Sequence, residues 1–168
     1  MDLVFVFHSI LAIFCALVLV CAISDFRSYR IPNILIILMA VFYPFYILAA
    51  PVPIAWGTSL LIAVVFFTIG AFLFKGGFMG GGDVKMICVC ALWAGVNGLT
   101  IFIFFMGLSG AIMSLFMMSP FRGASAYVCG RFGFVNLQHK LMTPKLPYGV
   151  AIACGSLASI YFQFFAQV

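Results

Sequence analysis

The chain has 168 residues, of which 67% are apolar and only 7% charged. That balance excludes a soluble globular domain, where about a quarter of residues carry charge, and the length suits a single domain. The formal net charge of +5 raises nucleic acid as a partner. In a chain this apolar, however, basic residues first report topology, so membrane lipid is the expected surrounding and nucleic acid is not expected.

Six apolar runs approach the roughly 20 residues that a helix needs to cross a bilayer. They cover 3–23, 34–50, 54–74, 84–96, 99–118 and 148–165. The first has no cation before it, and Ser24-Asp25-Phe26-Arg27 follows it instead of a small-residue cleavage site. It reads as a retained span and not a signal peptide. Pro51 and Pro53 separate the second run from the third.

The fourth and fifth runs are harder to divide, because 86–118 is uncharged throughout. One helix over that stretch would be about 50 Å long, against a hydrocarbon core of about 30 Å. Gly95-Val96-Asn97-Gly98 offers a reversal, with Asn-Gly as the turn signal. Charge favours the division. With six spans, Arg27, Arg30, Lys75, Lys85, Arg122, Arg131, Lys140 and Lys145 all fall on one side. The expected fold is therefore an all-α integral membrane protein, a six-helix transmembrane bundle in one domain over 1–168. Both termini are expected outside and the basic loops in the cytoplasm.

The longest basic loop, 119–147, mixes Phe121, Tyr127, Phe132, Phe134 and Leu137 with its cations. It suits either a segment lying in the headgroup layer or an irregular loop held near anionic lipid. In the last run, Ala151, Gly155 and Ser159 recur every fourth residue and allow close helix packing.

The six cysteines show no zinc spacing. Cys15, Cys21, Cys88, Cys90 and Cys154 lie inside apolar runs and Cys129 in a loop. They read as small apolar side chains, and no metal or other cofactor is expected.

The chemistry follows by elimination. The acids are Asp2, Asp25 and Asp83, and there is no glutamate. The expected topology puts Asp2 outside, and Asp25 and Asp83 at the cytoplasmic ends of spans one and four. Two facing carboxyls that share a proton can activate a water and protonate a departing amine. The helix ends suggest a division of labour: Asp83 at a helix start as base, Asp25 at a helix end as acid. Blander roles remain open. Asp83 suits a helix N-cap, and Asp25 suits an exposed partner of Arg27 or Arg30. Intramembrane acids also serve transport, so a small transporter or channel subunit using Asp25 or Asp83 for a proton or cation is the alternative. Other centres fail: His-Glu-x-x-His needs a glutamate, and a phosphate loop needs Lys-Ser or Lys-Thr after its glycines, where Gly82 precedes Asp83. Gly107-Leu108-Ser109-Gly110 is similar to the rhomboid serine-protease motif, but His8 is expected on the outer side and His139 in a cytoplasmic loop, so the last span offers no histidine base. Ser109 reads as a packing residue.

Three motifs resemble the type IV prepilin peptidases, and within them the short Tad/Flp-pilus branch. Asp25-x-Arg27-x-x-Arg30-Ile31-Pro32-Asn33 is similar to the family's first aspartate segment. Gly80-Gly81-Gly82-Asp83-Val84-Lys85 fits its Gly-x-Gly-Asp signature, and Leu146-Pro147-Tyr148-Gly149-Val150-Ala151 resembles the entry to its final helix. The resemblance implies an aspartic endopeptidase of the bacterial cytoplasmic (inner) membrane that removes basic leaders from prepilins or pseudopilins at the cytoplasmic face. It implies catalytic roles for Asp25 and Asp83 and association with pilus assembly machinery. Larger members carry an N-terminal zinc-binding, methyltransferase-linked segment with paired Cys-x-x-Cys, and nothing here corresponds to it. Gly80, Gly81 and Gly82 would either let an extended substrate lie against the backbone or only permit a tight turn.

Overall fold

The computed structural model describes residues 3–118, 127, 131 and 146–165. Five helices make up the fold: α1 (Leu3–Ser28), α2 (Asn33–Ala49), α3 (Trp56–Lys75), α4 (Gly81–Met118) and α5 (Tyr148–Phe164). There is no strand among the described residues. By length and composition α1, α3 and α4 can each cross a membrane, while α2 and α5 are shorter apolar helices. Asp2, most of the long basic loop including Arg122, Lys140, Lys145 and His139, and Cys129 lie outside the described residues.

Proline sets two of the helix starts. Pro32 (φ −63°, ψ 125°) precedes α2 and Pro147 (φ −77°, ψ 83°) precedes α5. Its ring fixes φ, and its missing N–H costs nothing where no intrahelical partner exists.

Where six runs were expected there are five helices, because α4 spans the fourth and fifth. It is interrupted at Gly95, whose φ of 57° and ψ of −166° are not helical. Glycine reaches that backbone region without a Cβ penalty. The interruption thus falls within the expected Gly95-Val96-Asn97-Gly98 reversal, at its first residue. Gly98 instead lies against Ser159 and Gln163, where a Cβ would collide with both side chains.

Contacts fix how the elements run. The Phe7 and Phe164 rings meet at 5.4 Å, and at the other end of the same two helices Gly149 N–H reaches Asp25. Hence α1 and α5 are antiparallel. Ser159 Oγ donates to the Gly98 carbonyl (3.0 Å), and Ser109 Oγ reaches the Ala151 carbonyl (3.4 Å), so residues 98–109 of α4 also run against α5. Residues 83–93 run the other way. Asp83 lines the same cavity as Asp25, whereas Trp93 stacks on Phe14 at 4.1 Å and on Tyr46 at 4.8 Å. The two arms of α4 are therefore antiparallel.

Apolar surface drives little helix association in lipid, so close fit must supply it. The small-residue stripe on α5 does this. A Cβ on Gly155 would stand 2.6 Å from the Phe102 carbonyl oxygen, so the backbones of α5 and α4 nearly touch. Trp93 is 1% exposed and its indole N–H donates to the Met39 carbonyl at 3.0 Å, which ties α4 to α2. Ser109 Oγ donates to Phe105 O at 2.6 Å, a bond within its own helix that agrees with a packing role.

Candidate active site

All three sequence motifs meet at one end of the bundle, where α1 finishes and α2, α4 and α5 begin. Lys85 Nζ donates to Asn33 Oδ1 at 3.1 Å, linking the second motif to the first. Gly149 N–H donates to Asp25 Oδ2 at 2.7 Å, linking the third. A cavity of about 510 Å³ opens between them, lined by Asp25, Tyr29, Gly77, Phe78, Met79, Gly80, Asp83, Leu146 and Tyr148. Both predicted acids therefore face one space, near enough for the charge of Asp25 to act on Asp83.

Each acid is held differently. α1 continues past the apolar run to Ser28, so Asp25 lies within the last turn and not beyond it, and it is only 4% exposed. Arg27 and Arg30 are exposed, so a solvent ion pair does not describe Asp25. Its partner is the Gly149 amide in the first turn of α5, one of the N–H groups that a helix start leaves without an internal acceptor. The end of α1 is thus opposed at Asp25 by the positive end of α5, and the division of labour expected from Asp25's own helix loses its basis. Gly149 is required for this approach: a Cβ there would stand 2.8 Å from Asp25 Cβ and 2.9 Å from Oδ2.

Asp83 is not the N-cap. Val84 N–H bonds the Gly80 carbonyl at 3.2 Å, which makes Gly80 the cap and places Asp83 in the first turn, three residues on. From there its carboxylate reaches back to the Gly80 backbone N–H, the geometry of an acid closing a capping box. Gly81 and Gly82 belong to the helix rather than to the loop, and of the three glycines Gly80 alone lines the cavity. Behind Asp83, Val84 packs onto Gly70 of α3, where a Cβ would meet Val84 Cγ1 at 2.6 Å.

Sequence reasoning missed Tyr29, Phe78, Met79, Leu146, Tyr148 and Gly149 as parts of the site. The Pro-Tyr-Gly segment was legible as a motif, but nothing in its spacing says that its amide faces an acid 124 positions earlier. Among the described residues no three His, Cys, Asp or Glu side chains gather as a metal site would require. A second cavity of about 380 Å³ lies at the opposite end, bordered by Phe7, Tyr43, Tyr46, Trp93 and Phe164 and, among the described residues, by no Asp, Glu, His, Lys or Arg.

Comparison with known proteins agrees with the motif pattern. The family model for the type IV leader peptidase family matches residues 12–115. A prepilin leader peptidase/N-methyltransferase of Bacillus subtilis (strain 168) is 31% identical over 153 residues, covering 89% of this chain and 54% of that protein. The chain thus spans about half the length of that curated relative. No solved structure gives a significant match.

Proposed function

The chain belongs to the type IV leader peptidase family, and from that premise we propose that it is a prepilin leader peptidase using Asp25 and Asp83 as an aspartic pair. One observation carries the reading: two acids from distant helices line one cavity of about 510 Å³. Two carboxyls that share one site resist ionising together, and a proton held between them is the one that hydrolysis needs.

In the proposed reaction one carboxylate accepts a proton from a water as its oxygen bonds to the scissile carbonyl carbon. The carbonyl electron pair moves onto oxygen. The carbon–nitrogen bond then breaks as that pair returns, and the other carboxyl protonates the departing amine. Gly149 N–H orients Asp25 and Gly80 N–H orients Asp83, so neither acid needs a further cation to hold its place.

The antiparallel arms of α4 support counting them as two spans, for six in all, with the aspartate end cytoplasmic and both termini outside. Arg27, Arg30, Lys75 and Lys85 all flank that end, as the positive-inside rule requires. A basic leader followed by an apolar helix would present its scissile bond at this depth, and Flp-type prepilins are the proposed substrates.

Purified protein incubated with a Flp-type prepilin should yield the shortened product, and Asp25→Asn and Asp83→Asn should each abolish it at unchanged expression. Retention of cleavage in either variant would refute the paired mechanism.

A further inference from the structure

Tyr29 is the residue that the paired mechanism leaves unused and the backbone singles out. It follows the last residue of α1 with φ 52°, the one non-glycine residue with positive φ among those described. An L-residue in that region costs about 1–2 kcal/mol, and glycine or asparagine would take the same turn more cheaply. The strain is held in place from both sides. Tyr29 N–H donates to the Asp25 carbonyl at 2.8 Å, and Ser24 Oγ donates to the Arg30 carbonyl at 2.8 Å. Strain that surrounding bonds hold in place recurs at functional sites, and Tyr29 lines the aspartate cavity.

The rest of the wall shows what is missing. Besides the two acids it offers Gly77, Phe78, Met79, Gly80 and Leu146, with Tyr29 and Tyr148 as its side-chain hydroxyls and no Lys, Arg, His, Ser or Asn among the described residues. Addition of water to a peptide leaves negative charge on the former carbonyl oxygen, and a placed donor there accelerates the reaction. Of the two tyrosines, Tyr29 is the one whose backbone is strained, four residues beyond Asp25. Burial, followed by that neighbouring charge, pushes its phenol above the ordinary range, so it stays protonated and able to donate at neutral pH.

Resting on the peptidase reading, we infer that the Tyr29 hydroxyl donates a hydrogen bond to the scissile carbonyl oxygen as the tetrahedral intermediate forms. No proton is transferred to the substrate from Tyr29. The bond strengthens as the oxygen gains charge and relaxes when the carbonyl reforms.

The test uses the full-length protein in detergent and a prepilin-derived peptide with its basic leader and following apolar segment. Tyr29→Phe keeps the ring and removes the donor, so kcat should fall on the order of 10²-fold, with KM within about two-fold and an unchanged melting temperature. Tyr29→Gly relieves the backbone and should raise the melting temperature while losing at least as much kcat. A Tyr29→Phe enzyme with wild-type kcat, or one whose loss lies in KM alone, overturns the inference and leaves the peptidase reading standing. A wild-type chain that leaves the peptide intact overturns both.

Discussion

Replacing Gly149 with alanine adds one methyl group at the contact between the start of α5 and Asp25. The backbone of Gly149 is helical, so alanine is locally tolerated and by propensity alone would stabilise the helix by about 0.5–1 kcal/mol. The new Cβ, however, would lie 2.8 Å from Asp25 Cβ, 2.9 Å from Oδ2 and 3.1 Å from Cγ, where ordinary contact begins near 3.4 Å. Asp25 or the end of α5 must therefore retreat by about 0.6 Å, the difference between those two distances. Overpacking of this kind costs about 1–3 kcal/mol. The 2.7 Å bond from Gly149 N–H to Asp25 Oδ2 must lengthen as well, and a hydrogen bond to a charged group contributes about 1.5–3 kcal/mol. The net expectation is a loss of about 1.5–5.5 kcal/mol where the bond breaks outright, and less where it only lengthens. If Asp25 is half of a catalytic pair, displacement approaching 1 Å also costs up to about 10²-fold in kcat. The matched control is Gly57→Ala in α3, where a Cβ meets nothing within 4 Å. Thermal unfolding in detergent and the peptide-cleavage rate, measured on both variants, decide the matter. Gly149→Ala with the stability and rate of Gly57→Ala would refute the claim that close backbone approach positions Asp25.

Gly155→Ala should lower the melting temperature, since its Cβ would stand 2.6 Å from the Phe102 backbone carbonyl oxygen, and a fixed backbone leaves about 1–3 kcal/mol of overpacking unrelieved. Ser109→Ala should retain cleavage within about two-fold and change stability by about 1 kcal/mol or less; a dead but folded variant would revive a serine mechanism. In a cysteine-free background, a cysteine at Val52 should react with a membrane-impermeant maleimide on intact cells, and one at Lys75 only after permeabilisation. The reverse pattern would invert the proposed topology.

Composition alone marked this chain as helical and membrane-bound, because two-thirds apolar content cannot be hidden in 168 residues of soluble fold. Scarcity did the rest: with so few acids, the candidates for carboxylate chemistry named themselves, and the motifs around Asp25, Asp83 and Gly149 were readable as strings. The helix limits at the site were not. Apolar runs end where hydropathy ends, whereas α1 continues to Ser28 and α4 starts at Gly81, because backbone hydrogen bonding ignores side-chain polarity for a turn or more. The interruption in α4 fell inside the expected Gly95–Gly98 reversal, at Gly95, while Gly98 serves as bare backbone against Ser159. Which atom holds Asp25 was decided only by tertiary packing. The Gly149 amide arrives from the far end of the chain, and Tyr29 lines the cavity with a positive φ that local preference opposes. Residue type can be read along one dimension; convergence of helix ends on a shared volume is a property of three.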